Sequence, residues 1–397
     1  MLRRVLGVPL LVGYGVGVIV GAGIYVLVGP VVSAAGAFAP VSFLLAGMVA
    51  AMTAMCYAEL AARFPEAAGA AAYVKEAFGS DLLSRVIGVA VAAVTLTSTA
   101  AVARGSVGYV QYFFDLAPAS IMAAIILSAT TVACIGVRDS VLIATAMTVV
   151  EVAGLVLVVV AGWARVPPVA DALAMAPQAL SDFKPVAVAT GAFLSFFAYI
   201  GFENLANMAE EAHESEKSLP QALLLSVGVS TVLYILVAIV AVASLSADPS
   251  ADRLTPLLHV GAGAGWHSPP LIAAIALIAV SNGILIEILM LSRLLYGMAH
   301  RGWLPGWLAK VNPATVGPVR ATIVSGVAVL ALTLSFDTTF LAGLTSTMTL
   351  LVFAIVTGGL WRLQRLHPRA RGFTVPHLLP PLAAAMCLGL ATVQLLR

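Results

Sequence analysis

Runs of 18 or more nearly uncharged residues recur from one end of this chain to the other. Each is long enough, at about 1.5 Å per residue, to cross the roughly 30 Å hydrocarbon core of a bilayer as a helix. Charged residues make up only 10% of the chain and hydrophobic ones 61%, against roughly 25% charged in soluble domains. The sequence therefore reads as an all-α integral membrane protein. Eleven spans are expected, at about 7–32, 39–62, 82–114, 118–137, 140–163, 186–209, 220–246, 270–298, 319–336, 339–363 and 376–396. The third is long, which implies strong tilt or a membrane-parallel start near Phe78 to Leu83. The opening MLRRVLG resembles a signal peptide, but the apolar run continues without a small-residue cleavage site, so a retained first helix is expected.

Lysine and arginine placement orients the spans. Fifteen of the 20 cluster on one set of ends and loops, from Arg3 and Arg4 to Arg369 and Arg371. Only Arg165, Lys184, Arg253 and Arg397 fall on the other side, and Arg104 lies within the third span. The N-terminus is thus expected in the cytoplasm, in a cytoplasmic (inner) membrane, with the C-terminus outside. Cys56, Cys134 and Cys387 all fall in apolar segments without metal-type spacing and read as packed thiols.

Within this pattern the first span is peculiar. Val12 to Pro30 carries glycine at 13, 15, 17, 21, 23 and 29, and each glycine costs a helix about 1 kcal/mol against alanine. Gly21-Ala22-Gly23 is a place where the helix can come undone, its freed backbone groups facing a polar guest. Close helix packing explains the same glycines equally well. The sixth span repeats the peculiarity, since Ser195 to Asn204 interrupts an apolar run with glycine and polar residues. A second break five spans after the first favours a binding site. The odd spacing inverts the second half relative to the first, giving five-plus-five repeats at 1–163 and 186–363 with an additional helix at 376–397.

Four motifs then carry a resemblance. GVGVIVGAGIYVLVG (15–29), YAELAARFPEAAGAAAYV (57–74), FFAYIGFENLANMAEEAHESEKSLPQAL (196–223) and NGILIEILMLSRLLYGMAHRGWLPGWLAKVNP (282–313) occur in this order. Together they resemble the amino acid–polyamine–organocation permeases. The resemblance implies a LeuT-type fold with helices 1 and 6 broken, and departs from the family in showing eleven spans rather than twelve. It also implies a substrate site at Ile19, Gly21, Ala22, Gly23 and Ile24, where half-helix N–H groups hold an α-carboxylate. The facing half belongs to Phe197, Ala198, Tyr199, Ile200 and Gly201, whose freed carbonyls accept from an ammonium group. Phe197 is either a lid over the substrate or ordinary packing. Many relatives have serine where Ala22 stands, so the backbone must suffice here.

Ionisable groups at membrane depth are costly and are functional candidates by default. Glu151 is a candidate proton carrier; alternatively it pairs with Arg104 or a backbone donor. Glu203 holds the broken helix in place or contacts the substrate, the first being favoured. Glu287 reads as a partner of Arg293 or a gating group. Ser281 and Asn282 offer oxygen ligands for sodium but equally bond neighbouring helices, and sodium independence is favoured. The acidic run from Glu210 reads as a solvated loop, with Ser218 capping the next helix and Pro220 in its first turn.

No nucleotide-binding, nucleophile-elbow or zinc-protease motif occurs, and the six histidines lie in loops or at span ends. An enzyme, a cofactor, a bound metal and a nucleic-acid partner are not expected. The expected partners are a small amino acid substrate, protons and the lipid bilayer. The reading is an amino acid carrier working by alternating access, as a symporter or antiporter. The alternatives are a polyamine or cationic amine carrier, and a membrane amino acid sensor that does not transport.

Overall fold

The computed structural model describes residues 7–64, 69–135, 137–168, 181, 183–206, 214–247, 257–258, 260, 269–300, 302–312, 317–368 and 372–393. Helices follow one another as α1 (Val8–Ala35), α2 (Ala39–Arg63), α3 (Gly69–Phe78), α4 (Asp81–Gly105), α5 (Val107–Gln111), α6 (Pro118–Ile135) and α7 (Val137–Gly162). The second half continues with α8 (Pro185–Phe196), α9 (Glu203–Ala206), α10 (Ser215–Ala247), α11 (Pro269–His300), α12 (Val319–Ser335), α13 (Thr338–Leu366) and α14 (Leu379–Thr392). Among the described residues, eight stretches are long and apolar enough to cross a membrane, the first of them holding both α1 and α2. α12 and α14 are shorter apolar helices. This is a multi-pass, all-α membrane protein.

Helix starts follow local chemistry. Prolines occupy the first turns of α1, α2 and α8, where the missing N–H has no intrahelical partner to lose. The side chain of Ser80 accepts from the N–H of Leu83 and caps α4, and Asp337 does the same for α13 with Phe340. Two local expectations change. The region before the third span is a separate helix, α3, and α4 begins after the Gly79–Ser80 turn. α10 begins at Ser215, so Ser218 is not its cap and Pro220 lies inside it. The N–H groups of Lys217 and Ser218 already donate to the carbonyl of Glu214, which starts the helix earlier than the proline would.

The two interruptions fix the architecture. α1 runs through Gly21, whose φ of −1° and ψ of −167° are not helical. α8 ends in a tight 3₁₀ turn at Phe197–Tyr199, after which the backbone turns at Gly201 and resumes as α9. α1 packs against α8, α10 and α11, α2 lies along α10, and α13 lies between α4 and α14. The broken elements therefore sit at the centre, surrounded by continuous helices.

Candidate functional site

The breaks touch. Gly201 has a φ of +123°, which a side chain rarely adopts, and a Cβ placed there would come within 3.1 Å of the carbonyl oxygen of Val18. At Gly23 a Cβ would stand 2.9 Å from the Cα of Ala198. Both glycines let backbone approach backbone at a distance that a side chain would crowd.

A cavity of about 480 Å³ opens against this contact, lined by Ile19, Gly21, Ala22 and Gly23 on one side and Phe197, Ala198, Ile200, Gly201 and Glu203 on the other. Its size is that of a small-molecule site. α4 contributes Thr95 and Ser98, α11 contributes Asn282, Glu287 and Arg293, and α13 contributes Thr349 and Phe353. Ile24 and Tyr199 do not line it. Ile24 is buried among apolar side chains, and the Tyr199 hydroxyl donates to the carbonyl of Phe43 on α2 at 3.0 Å.

The carboxylate of Glu203 accepts from the N–H of Gly201 at 2.9 Å, filling the donor that the break would otherwise strand. Glu287 accepts from the Ser98 hydroxyl at 2.7 Å through Oε1, while its Oε2 is buried without a hydrogen-bond partner among the described residues. No ion pair joins Glu287 to Arg293 among the described residues. Glu151 is fully buried and lies just behind the cavity wall, accepting from Asn282 Nδ2 at 3.2 Å through Oε2. The same amide donates to the Thr148 hydroxyl at 3.1 Å, and Glu151 Oε1 has no partner among the described residues. Arg104 is not the partner of Glu151. Its guanidinium donates to the carbonyl of Thr333 on α12 at 2.7 Å, and it does not line the cavity. Ser281, next to Asn282, also lies outside the lining.

Sequence reasoning missed a set of tyrosines. The Tyr234 hydroxyl on α10 lies 2.6 Å from the carbonyl oxygen of Ile19 and 2.8 Å from that of Ala198. Its single proton serves either acceptor, so one phenol links both breaks to a continuous helix. The Tyr25 hydroxyl donates to the backbone carbonyl of Glu151 at 2.9 Å, and Tyr109 donates to the carbonyl of Tyr25 at 2.7 Å. A tyrosine in an apolar span must place its hydroxyl somewhere, and that need was the available signal.

The sequence profile of the amino acid permease family matches residues 6–396, nearly the whole chain. The chain belongs to the amino acid permease family. Among curated relatives, a mitochondrial cationic amino acid transporter of Arabidopsis thaliana is 31% identical, over 89% of this chain and 61% of its own length. A vacuolar cationic amino acid transporter of the same plant is 30% identical, over 89% of this chain and 59% of its own. A methylthioribose transporter of Bacillus subtilis is 29% identical, over 97% of this chain and 85% of its own. The chain thus spans about three fifths of the length of the plant relatives it matches. These relatives are transporters, not enzymes.

Proposed function

We propose that the protein is a secondary active transporter of amino acids that works by alternating access, coupled to protons or to exchange and independent of sodium. The observation that carries this reading is the meeting of two broken helices at one cavity. A half-helix start at Ala22–Gly23 offers N–H groups and a positive dipole end to a carboxylate. The end of α8 offers carbonyls to an ammonium group. Such a clamp recognises the backbone of an amino acid and leaves the side chain to the surrounding helices. In this reading the halves 1–163 and 186–363 are inverted repeats, residues 376–397 are peripheral, and the N-terminus faces the cytoplasm. Glu151 carries the coupling proton, because its free Oε1 and its contact with Asn282 connect a buried carboxylate to the cavity wall.

The unpartnered oxygen of Glu287 favours a second reading within transport. A carboxylate lining the cavity with Oε2 unsatisfied suits a substrate that ends in an ammonium or guanidinium group, and the plant relatives are named for cationic amino acids.

The test is uptake of a panel of radiolabelled amino acids by purified protein in liposomes, with and without an inward proton gradient and with choline replacing sodium. Accumulation that follows the proton gradient and disappears in Glu151→Gln supports symport. Uptake that needs only internal counter-substrate makes the protein an exchanger and Glu151 structural. Lysine or arginine uptake lost in Glu287→Gln supports the cationic reading. Binding without any uptake overturns transport in favour of a sensor.

A further inference from the structure

Away from the central cavity, the surface between the α3–α4 corner and the last turns of α13 dips into a groove of about 740 Å³. Leu83 forms one wall, and at Gly358 on the other a Cβ would meet nothing within 4 Å beyond its own helix backbone and chain neighbours among the described residues. At the head of the groove the Arg362 guanidinium sits 5.6 Å above the ring of Phe78, and that of Arg365 sits 3.8 Å above the ring of Trp361. Both arginines are exposed, and neither takes part in an ion pair among the described residues. A ring face holds a guanidinium in place while leaving its edge N–H groups to donate.

The depth of this head follows from α13 itself. Phe340, stacked on Phe336 at the start of the helix, and Trp361 near its end are separated by about 31 Å at 1.5 Å per residue. That is about the thickness of the hydrocarbon core, with aromatic rings at both interfaces. The two guanidiniums then lie at headgroup level, and the groove runs from them toward the bilayer interior. The dipole at the C-terminus of α13 opposes an anion with about half a unit charge, which two full positive charges outweigh.

We propose that this groove binds one anionic phospholipid, its phosphate held by Arg362 and Arg365 and an acyl chain laid along Gly358 and Leu83. The chemistry fits an amphiphile: free phosphate satisfies the head but leaves the apolar groove unfilled. The walls of the groove belong to α3, α4 and α13, and all three also line the central cavity, through Ala70, Ser98 and Phe353. A lipid seated here sets the spacing of those elements, so its loss is expected to slow movement through the cavity.

The test is native mass spectrometry of the full chain from nanodiscs of phosphatidylcholine containing a minor fraction of phosphatidylglycerol. The wild type is expected to retain phosphatidylglycerol well above its share of the bilayer. Arg362→Gln with Arg365→Gln is expected to reduce that retention at least 5-fold. Gly358→Leu, which fills the groove without changing charge, is expected to do the same. Lys217→Gln with Lys310→Gln, which removes equal charge elsewhere, is expected to retain the lipid. Thermal melts of each variant separate lipid loss from misfolding. The proposal is overturned if phosphatidylcholine is retained equally, or if the control pair loses as much. It is also overturned if Gly358→Leu leaves retention unchanged.

Discussion

Tyr234 has one proton and two carbonyl acceptors, and those carbonyls belong to the two helices that are broken. Replacing it with phenylalanine keeps the ring, which packs edge-on against Tyr199, and removes only the hydroxyl. The two buried carbonyl oxygens then lose the one donor they share, at a cost of about 1–3 kcal/mol. Tyr234→Phe is therefore expected to lower the melting temperature by a few degrees. Because the carbonyls flank the cavity, substrate dissociation should also rise several-fold in scintillation-proximity binding. Loss of stability with unchanged affinity would reduce the tyrosine to a packing role. Glu59 is a second residue whose weight lies in its partners. Fully buried, it accepts from Arg63 Nε and Nη2, from Gln364 Nε2 at 2.8 Å and from the N–H of Val375 at 2.8 Å. Removing one member of a buried ion pair typically costs about 3–5 kcal/mol, since the other charge is left uncompensated. Glu59→Ala should then give little folded protein in detergent, whereas Glu59→Gln, which keeps one acceptor, should recover part of it in fluorescence-detected size exclusion.

At the scale of elements, the break between α8 and α9 depends on Gly201. Its φ of +123° and its approach to Val18 make a Cβ strained and crowded, so Gly201→Ala is expected to push α1 and α8 apart or straighten the turn. Substrate binding is expected to fall at least 10-fold, while far-ultraviolet circular dichroism stays unchanged because the surrounding helices remain. The glycines made both breaks legible in the sequence, as did the polar residues placed in otherwise apolar spans. The facing of Ile24 and Tyr199 was not legible. A helix that is apolar on all sides has no polar stripe to say which side chains meet a cavity, and these two turned out to meet neighbouring helices. The partners of Arg104 and Tyr234 were hidden for another reason. They are backbone carbonyls at distant positions, such as Thr333 and Ile19, and a carbonyl carries no residue-type signature. The helix α3 escaped because its ten residues are too short to register as a span.

Across the whole molecule, the cavity has a direction. Its lining continues past Glu287 to Met290 and the exposed Arg293, and past Ala71 and Gly88 at the ends of α3 and α4. The other end of the α1–α4 pair is closed where Tyr109, itself fully buried, donates to Tyr25, and where Arg104 ties α4 to α12. Arg63, Lys75, Arg85 and Arg293 all belong to the basic ends that the positive-inside rule assigns to the cytoplasm. The structure is thus open toward the side proposed to be cytoplasmic. In a background with Cys56, Cys134 and Cys387 replaced by alanine, a single cysteine at Met290 should react with a charged thiol reagent in inside-out vesicles and resist it in right-side-out ones. A cysteine at Val26, buried toward the closed end, should resist it in both. Substrate added with the reagent should slow modification at Met290, since that side chain lies on the path from the cavity to the aqueous phase. Equal reaction at Met290 from both faces would overturn the reading that the resting protein is open to the cytoplasm alone.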